Sequence, residues 1–224
     1  MTTDIVTLSA LIRKVYVRMA LALSITGVTA WGVASSPSLL ALVFGTPGVL
    51  LGLIVAELVL VLGLSAAINR LSAVQATLLF VLYAVVNGAV LASVFLAYTA
   101  TSVAQVFFIT AGTFAGMAFY GYTTKSDLTS WGKYLFMALF GLILASVVNF
   151  FMHSDGLSSI ISYAGVLIFV GLTAYDTQKI KRMLDRPEND METAEKIALL
   201  GALTLYLDFI NLFLHLLRIL GRRR

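Results

Sequence analysis

The chain has 224 residues, 60% of them hydrophobic and 12% charged, whereas soluble domains carry roughly 25% charged residues; this composition excludes a soluble globular domain and indicates an integral membrane protein. The formal net charge of +4 does not point to nucleic acid, because the basic residues lie at the ends of apolar segments and leave no basic and aromatic surface. The absence of cysteine excludes disulfides, thiolate metal sites and a thiol nucleophile.

Seven apolar stretches are long enough to cross a bilayer, since a bilayer core needs about 20 apolar residues per helix. They cover residues 16–35, 48–68, 75–98, 103–122, 132–152, 158–178 and 200–220. Short breaks with turn residues separate them, and a charged run over residues 179–196 separates the last two. The apolar runs are continuous rather than alternating, which argues against strands. We therefore predict one all-α membrane domain of seven transmembrane helices over residues 1–224.

The positions of Lys and Arg predict the orientation. The N-terminal segment and the second, fourth and sixth loops hold these residues, and the other loops hold none. Because positive residues stay on the cytoplasmic side, we expect a cytoplasmic N-terminus. Seven crossings would then place Arg222, Arg223 and Arg224 outside, against the same rule. Two explanations stay open: the last segment re-enters, or it crosses completely and the tail follows the earlier helices.

Three carboxylates lie inside otherwise apolar stretches: Glu57, Asp176 and Asp208. An acid in the middle of a bilayer costs about 2.5–3.5 kcal/mol on insertion scales, and such residues usually face a protein interior or a water-filled path. Glu57 lies near the middle of the second span, where two interpretations stay open. It is either neutral and hydrogen-bonded to a neighbouring helix, or it lines a cation path. Asn87 in the third span is typical of residues that join helices by hydrogen bonds.

The last stretch carries a row of polar side chains at helical spacing, and an ion pathway is expected along it. The spacings are four, three, four and three residues, over Thr204, Asp208, Asn211, His215 and Arg218. These positions share one face of an α-helix, so a polar seam runs along an otherwise apolar rod. A rod of this kind belongs in the middle of a membrane bundle. Asn211 is therefore a candidate residue of the pathway.

Asp176 ends the sixth stretch, with Thr173 and Thr177 on the same face. It is either an interfacial acid wetted by lipid headgroups or the partner of Asp208. If the last helix begins near residues 191–196, the two aspartates lie at similar depth on adjacent helices. Two close carboxylates cannot easily both ionise, so the pair would share a proton that joins the helices. Deprotonation would replace this contact with repulsion, which predicts a pH-sensitive gate.

Several other residues have competing interpretations. Arg70, at the end of the second span, is either a cytoplasmic anchor or a partner that competes with the proton for an aspartate. His215 could be a metal ligand or a proton relay, but a transition-metal site needs more than one His and His153 is the only other. Ca²⁺ takes six to eight oxygens, so the intramembrane carboxylates predict transient rather than tight calcium binding near the aspartates. Close helix packing is expected at three glycines of the fourth span: Gly112, Gly116 and Gly121.

Two of these segments resemble the transmembrane Bax inhibitor motif-containing family. Residues 205–218 are similar to the signature of its last helix, with the sequence LYLDFINLFLHLLR. Residues 174–178 are similar to its sixth-helix motif in the style of bacterial members, with the sequence AYDTQ. The seven-segment layout matches over nearly the whole chain. The resemblance implies seven helices, with the last one central and surrounded by the other six.

The resemblance also implies a function and a set of site residues. It implies a pH-sensitive cation leak that passes calcium, closed by Asp176 and Asp208. It places Arg70 near this pair and Glu57 on the second helix. A bacterial member would lie in the inner membrane, with the lipid bilayer, calcium ions and protons as its partners. Bacterial relatives suggest an alternative role, in which the protein binds and restrains a membrane protease or another membrane partner.

An enzyme is the main competing class, because aspartates on the sixth and seventh helices occur in intramembrane aspartyl proteases. Tyr175-Asp176 matches the first half of their pattern. The second half should read Gly-x-Gly-Asp, but the chain has Leu205-Tyr-Leu-Asp208 and lacks the downstream Pro-Ala-Leu element. We therefore expect no enzyme activity and no cofactor. ATP-driven transport lacks a phosphate-binding Gly-rich loop, and a proton-coupled transporter would be marked by saturable uptake of one solute.

Overall fold

A computed structural model describes residues 2–186 and 190–224, with side chains from residue 8 onward. Helices account for almost all of this part of the chain, and Tyr98 and Arg223 form an isolated bridge. In chain order the helices are α1 (Thr2–Ser35), α2 (Pro37–Leu40), α3 (Val49–Ala67), α4 (Ala73–Ala97), α5 (Ala100–Thr123), α6 (Thr129–Met152), α7 (Asp155–Leu184) and α8 (Met191–Leu220). A π-helical turn follows α2 at Ala41–Gly45, and a 3₁₀ turn follows α3 at Ile68–Arg70.

Seven helices among the described residues are long and apolar enough to cross a membrane, namely α1 and α3 to α8. This confirms the predicted all-α integral membrane fold with seven spans. Three helices extend six or more residues past one end of their apolar stretches. α1 begins at Thr2, α7 continues to Leu184 and α8 begins at Met191. The extra turns of α7 and α8 contain Lys, Arg or Glu, which favour helix and need no apolar environment.

Local sequence signals account for several helix ends. α4 begins with a capping box in which the Ser72 hydroxyl accepts a hydrogen bond from the Gln75 amide at 3.2 Å, and the Gln75 side chain accepts one from the Ser72 amide at 3.0 Å. Such a box satisfies two amide groups that the first helical turn leaves free. Gly48, just before α3, has a φ of 84°, a backbone conformation that favours glycine.

The chain divides into two compact units. The first contains α1 to α4 with Leu184–Tyr206 and the last two residues, and the second contains Ala100–Met183 and Leu207–Arg222. The first half of α8 therefore belongs to the first unit, and its second half belongs to the second unit. It is also the most buried span, with 67% of its apolar window buried against at most 44% in the others. The single domain and the central place of this helix stay predictions.

In the first unit, α4 packs against α1 and α3. Gly88 allows the close approach of α1, since a Cβ there would lie 2.7 Å from the Thr26 carbonyl oxygen. The rings of Trp31 and Phe95 meet edge to face nearby, with centroids 5.6 Å apart. α3 is much less covered, and Leu64 is its buried residue. Most of α3 therefore remains available to lipid.

In the second unit, aromatic rings of α5 pack on the second half of α8. The Phe209 ring lies 5.4 Å from that of Phe107 and 5.5 Å from that of Phe114, centroid to centroid. Gly121 of α5 makes the predicted close helix contact. The same prediction is wrong for Gly112 and Gly116, because a Cβ at either would meet no atom within 4 Å. These two glycines face away from the packed side of the helix.

Candidate functional site: a buried pair of carboxyl groups

Asp176 of α7 and Asp208 of α8 lie together in the second unit. Their carboxyl groups lie close enough to interact directly, and the residues are only 4% and 5% exposed. An ionised carboxylate can only accept, so a hydrogen bond between two carboxyl groups requires one proton. The structure thus brings together the two aspartates that the sequence paired. Their role as a gate stays a prediction at this point.

Two glycines bring α7 close to its neighbours just before Asp176. A Cβ at Gly121 of α5 would overlap the backbone of Ala174, whose Cα and carbonyl carbon would be 2.9 Å away. A Cβ at Gly132 of α6 would overlap the ring of Tyr175. Since Ala174 and Tyr175 immediately precede Asp176, these contacts fix the backbone that carries the aspartate. No larger residue at either glycine would allow the same approach.

The next turn of α7 forms hydrogen bonds with the loop between α5 and α6 and with the end of α5. Gln178 is buried; its amide nitrogen donates to the Ser126 carbonyl oxygen at 2.8 Å, and its amide oxygen accepts from the Leu128 amide at 2.9 Å. Lys181 donates to the Tyr122 carbonyl oxygen at 2.9 Å, with its ammonium 4.5 Å from the Tyr122 ring centre. The helix that carries Asp176 is therefore held on both sides of that residue.

The loop also holds an acid outside the membrane-spanning helices. Asp127 accepts a hydrogen bond from the Thr129 amide at 2.9 Å and one from the Arg182 guanidinium at 2.7 Å. These contacts, those of Thr129 before that of Arg182, lower the pKa of Asp127 to about 2. Asp127 is thus ionised throughout the neutral range and differs from the aspartates of the pair.

Lys179 is a cation that the structure places near the pair within the second unit. It lies one turn after Asp176 on α7 and interacts electrostatically with that carboxyl group. Arg70 is exposed at the end of the 3₁₀ turn of the first unit, and it forms no ion pair with another described residue. Its role as a gate partner stays a prediction. Sequence reasoning missed Lys179, although the spacing of three residues on one helix could have found it.

The polar seam of α8 contains two unpaired atoms. Asp208 Oδ2 and His215 Nδ1 are buried and have no hydrogen-bond partner among the described residues. Asn211 lies between them and is half-buried, and its amide nitrogen donates to the Leu207 carbonyl oxygen at 2.8 Å. The predicted pathway residue is therefore on the seam, with its amide group turned partly back to its own helix.

Glu57 belongs to a separate hydrogen-bond network in the first unit. The Asn87 amide nitrogen donates to Glu57 at 2.7 Å, and the Tyr206 hydroxyl donates to the Asn87 amide oxygen at 2.9 Å. The Tyr206 hydroxyl also lies 2.7 Å from the Thr26 hydroxyl, which donates to the Ala84 carbonyl oxygen at 2.9 Å. The network joins α3, α4, α8 and α1. It matches the first interpretation of Glu57 and the expected role of Asn87, and a cation path at Glu57 stays a prediction.

Sequence reasoning also missed Tyr206, which is fully buried at the centre of this network. The rings of Phe80 and Tyr83 meet it edge-on, each with its centroid 5.7 Å away. A tyrosine in the middle of an apolar helix needs a partner for its hydroxyl, and this need is the signal that could have identified it. Within the described part of the chain, no group of three or more His, Asp or Glu side chains is placed to hold a metal ion.

The fold and the site define a seven-helix integral membrane protein with a close pair of buried carboxyl groups on two of its helices. The family model described as "Inhibitor of apoptosis-promoting Bax1" matches residues 8–224. The chain is 51% identical over 212 residues to the inner membrane protein YbhL of Escherichia coli K12, which covers 94% of this chain and 91% of that protein. It is 46% identical over 211 residues to the protein RP147 of Rickettsia prowazekii, covering 94% and 89%. The chain therefore belongs to the Bax inhibitor family, which confirms the resemblance found in the sequence.

Proposed function

We propose that the protein is a pH-sensitive leak for cations, calcium foremost, and that Asp176 and Asp208 form its gate. The observation that carries this proposal is the close placement of two carboxyl groups that are both buried. One proton between them joins α7 to α8, and its loss leaves two negative charges facing each other. The pair is therefore a contact between two helices that a change in pH can make or break.

The energy available is large enough for gating. Two unit charges about 4 Å apart repel by about 4 kcal/mol at an effective dielectric constant of about 20. A difference of about 1.4 kcal/mol changes an equilibrium tenfold, so this repulsion can shift a closed and an open state by roughly three powers of ten. Acid conditions favour the shared proton and the closed state. Higher pH favours the repelling pair and the open state.

The polar groups on and beside α8 suit transient binding of a hard cation. Ionised Asp176 and Asp208 and the Asn211 carboxamide offer oxygen ligands, which calcium prefers. A closed calcium cage needs six to eight oxygens, so a few spaced groups give transient binding and slow leakage rather than storage. Glu57 adds a carboxylate to the route in the second span. Arg70 adds a positive charge that competes with the proton for an aspartate.

The proposed location is a bacterial inner membrane, with the N-terminus in the cytoplasm and the last helix in the centre of the other six. The name of the Escherichia coli relative supports the membrane, and the distribution of Lys and Arg supports the orientation. The high burial of α8 supports its central place.

Calcium flux into liposomes that carry the purified protein tests the proposal, between about pH 6 and pH 8. We expect flux that rises with pH in the wild type and loses this dependence in Asp208→Asn. Asp127→Asn is the matched control, since its carboxyl group lies outside the spans and does not titrate in this range. No flux above empty liposomes at any pH would reject the leak. The restraint of a membrane partner would then become the leading function.

A further inference from the structure

His215 is fitted closely into the second unit although its chemistry has no assigned role. The residue is 9% exposed, and its ring stacks on that of Phe169 of α7 with centroids 5.7 Å apart and planes inclined by 25°. A Cβ at Gly165 of α7 would overlap the imidazole, so the ring occupies the space that a side chain at this position would need. The imidazole is therefore held in one place by α7.

One nitrogen of this ring is unpaired among the described residues. Nδ1 is buried without a hydrogen-bond partner in the described part of the chain, and Asp208 Oδ2 is the other buried side-chain atom of this kind. The two residues lie seven positions apart on α8, which is two turns or about 10 Å along one face. Asn211 lies between them and is half-buried, and its amide nitrogen donates to the Leu207 carbonyl oxygen.

Unpaired buried polar atoms are uncommon in proteins, and water usually satisfies those that occur. Two such atoms on one face, with the half-buried Asn211 between them, indicate a line of water or cation sites from Asp208 to His215. The surroundings of the ring bring little charge to this line. Gly165 and Phe169 are uncharged, and Arg218, one turn further along α8, is the charged group that acts electrostatically on the imidazole.

We propose that His215 is a second proton-binding site on the cation route, separate from the aspartate pair. This inference rests on the proposed leak. The neutral imidazole offers a nitrogen lone pair to a hydrated cation, whereas the protonated ring offers only donors and a positive charge. Protonation of His215 therefore blocks cations beyond the gate. A unit charge at about 10 Å in a medium of effective dielectric constant about 20 lowers the occupancy of a monovalent cation by about tenfold and that of calcium by more than about a hundredfold.

Flux in an Asp208→Asn background tests the proposal, because this substitution removes the shared proton of the pair. The pH range extends to about pH 4, which is more than two pH units below the ordinary histidine pKa of about 6.5. We expect a remaining fall in flux of at least about tenfold at the acid end, and we expect its loss in Asp208→Asn/His215→Gln. The matched control is Asp208→Asn/His153→Asn, since His153 is exposed at the end of α6 with a φ of 51°, which asparagine tolerates.

A second measurement does not depend on transport or on a substitution at the site. The chain has two histidines, so His153→Asn leaves His215 as the only imidazole signal in nitrogen NMR of histidine-labelled protein. We expect this signal to change from the neutral to the protonated form as the pH falls to about pH 4. A signal that does not change would overturn the proposal.

The flux results distinguish a failure of the proposed role of His215 from a failure of the proposed leak. If the wild type transports cations and the double variant Asp208→Asn/His215→Gln keeps the acid fall of the single variant, the role of His215 is overturned and the leak stands. If the wild type shows no flux at any pH, the leak and the role of His215 in it are overturned together.

Discussion

Replacing Gly121 with alanine should destabilise the second unit beside the carboxyl pair. The new methyl group would lie on the backbone of Ala174, two residues before Asp176. A side chain can move aside for a methyl group, but a helix backbone cannot do so without a shift of the whole helix. The substitution therefore forces α5 and α7 apart at the point where α7 presents its aspartate.

Gly116 on the same helix is the matched control, because a Cβ there meets nothing within 4 Å. Overpacking a close contact typically costs about 1–3 kcal/mol, which predicts the effect of Gly121→Ala. Alanine favours helix over glycine by up to about 1 kcal/mol, which predicts a neutral or slightly stabilising Gly116→Ala. For a chain of this size, a cost of 1–3 kcal/mol corresponds to a fall in Tm of roughly 2–12 °C.

Thermal unfolding in detergent, followed by tryptophan fluorescence, measures this difference. Trp131 on α6 reports on the second unit and Trp31 on α1 on the first. We expect a lower Tm for Gly121→Ala and a Tm at or above that of the wild type for Gly116→Ala. Equal values for the two variants would refute the packing argument, and so would wild-type stability of Gly121→Ala.

Three further predictions concern other contacts. Tyr206→Phe removes a hydroxyl that donates a hydrogen bond to Asn87, and it should lower the free energy of unfolding by about 1–3 kcal/mol because buried partners lose their hydrogen bonds. An unchanged Tm would contradict this prediction. Glu195→Gln removes the negative charge that forms ion pairs with Lys14 and Arg18. It should lower the free energy of unfolding by at most about 1 kcal/mol, and by less in high salt. A loss of stability that does not depend on salt would argue against an ion-pair effect. Asp127 has a lowered pKa, so any stability it contributes is present above its ordinary pKa of 3.8 and is lost as the pH falls through about 2. The Tm difference between the wild type and Asp127→Asn should therefore be constant from pH 6 to pH 8. A Tm difference that changes with pH in this range would contradict the lowered pKa.

The sequence predicted the features that depend on one helix at a time. Long apolar runs give the seven spans because a bilayer core sets their length. The i, i+3 and i+4 spacings place the polar residues of α8 on one face because the helix has 3.6 residues per turn. Asp176 and Asp208 were paired because both lie near the charged run between α7 and α8. These inferences need no knowledge of how the helices are rotated against one another.

The missed features depend on that rotation. The sequence does not distinguish Gly112, Gly116 and Gly121. Of the three, Gly121 is the one at which a Cβ would meet the backbone of a neighbouring helix. Gly165 makes room for His215 across 50 positions of sequence, and no local pattern connects the two. The partners of a buried tyrosine such as Tyr206 are likewise chosen by tertiary packing.

The central claim is that Asp176 and Asp208 act as one proton-sharing gate, and a double-mutant cycle on calcium flux tests it most directly. The pH dependence is measured in liposomes for the wild type, Asp176→Asn, Asp208→Asn and the double variant, from about pH 6 to pH 8. A shared proton predicts that either single substitution removes this response and that the second adds nothing, because each alone destroys the pair. Single variants that each keep part of the response, with effects that add in the double variant, would show two independent groups and contradict the account.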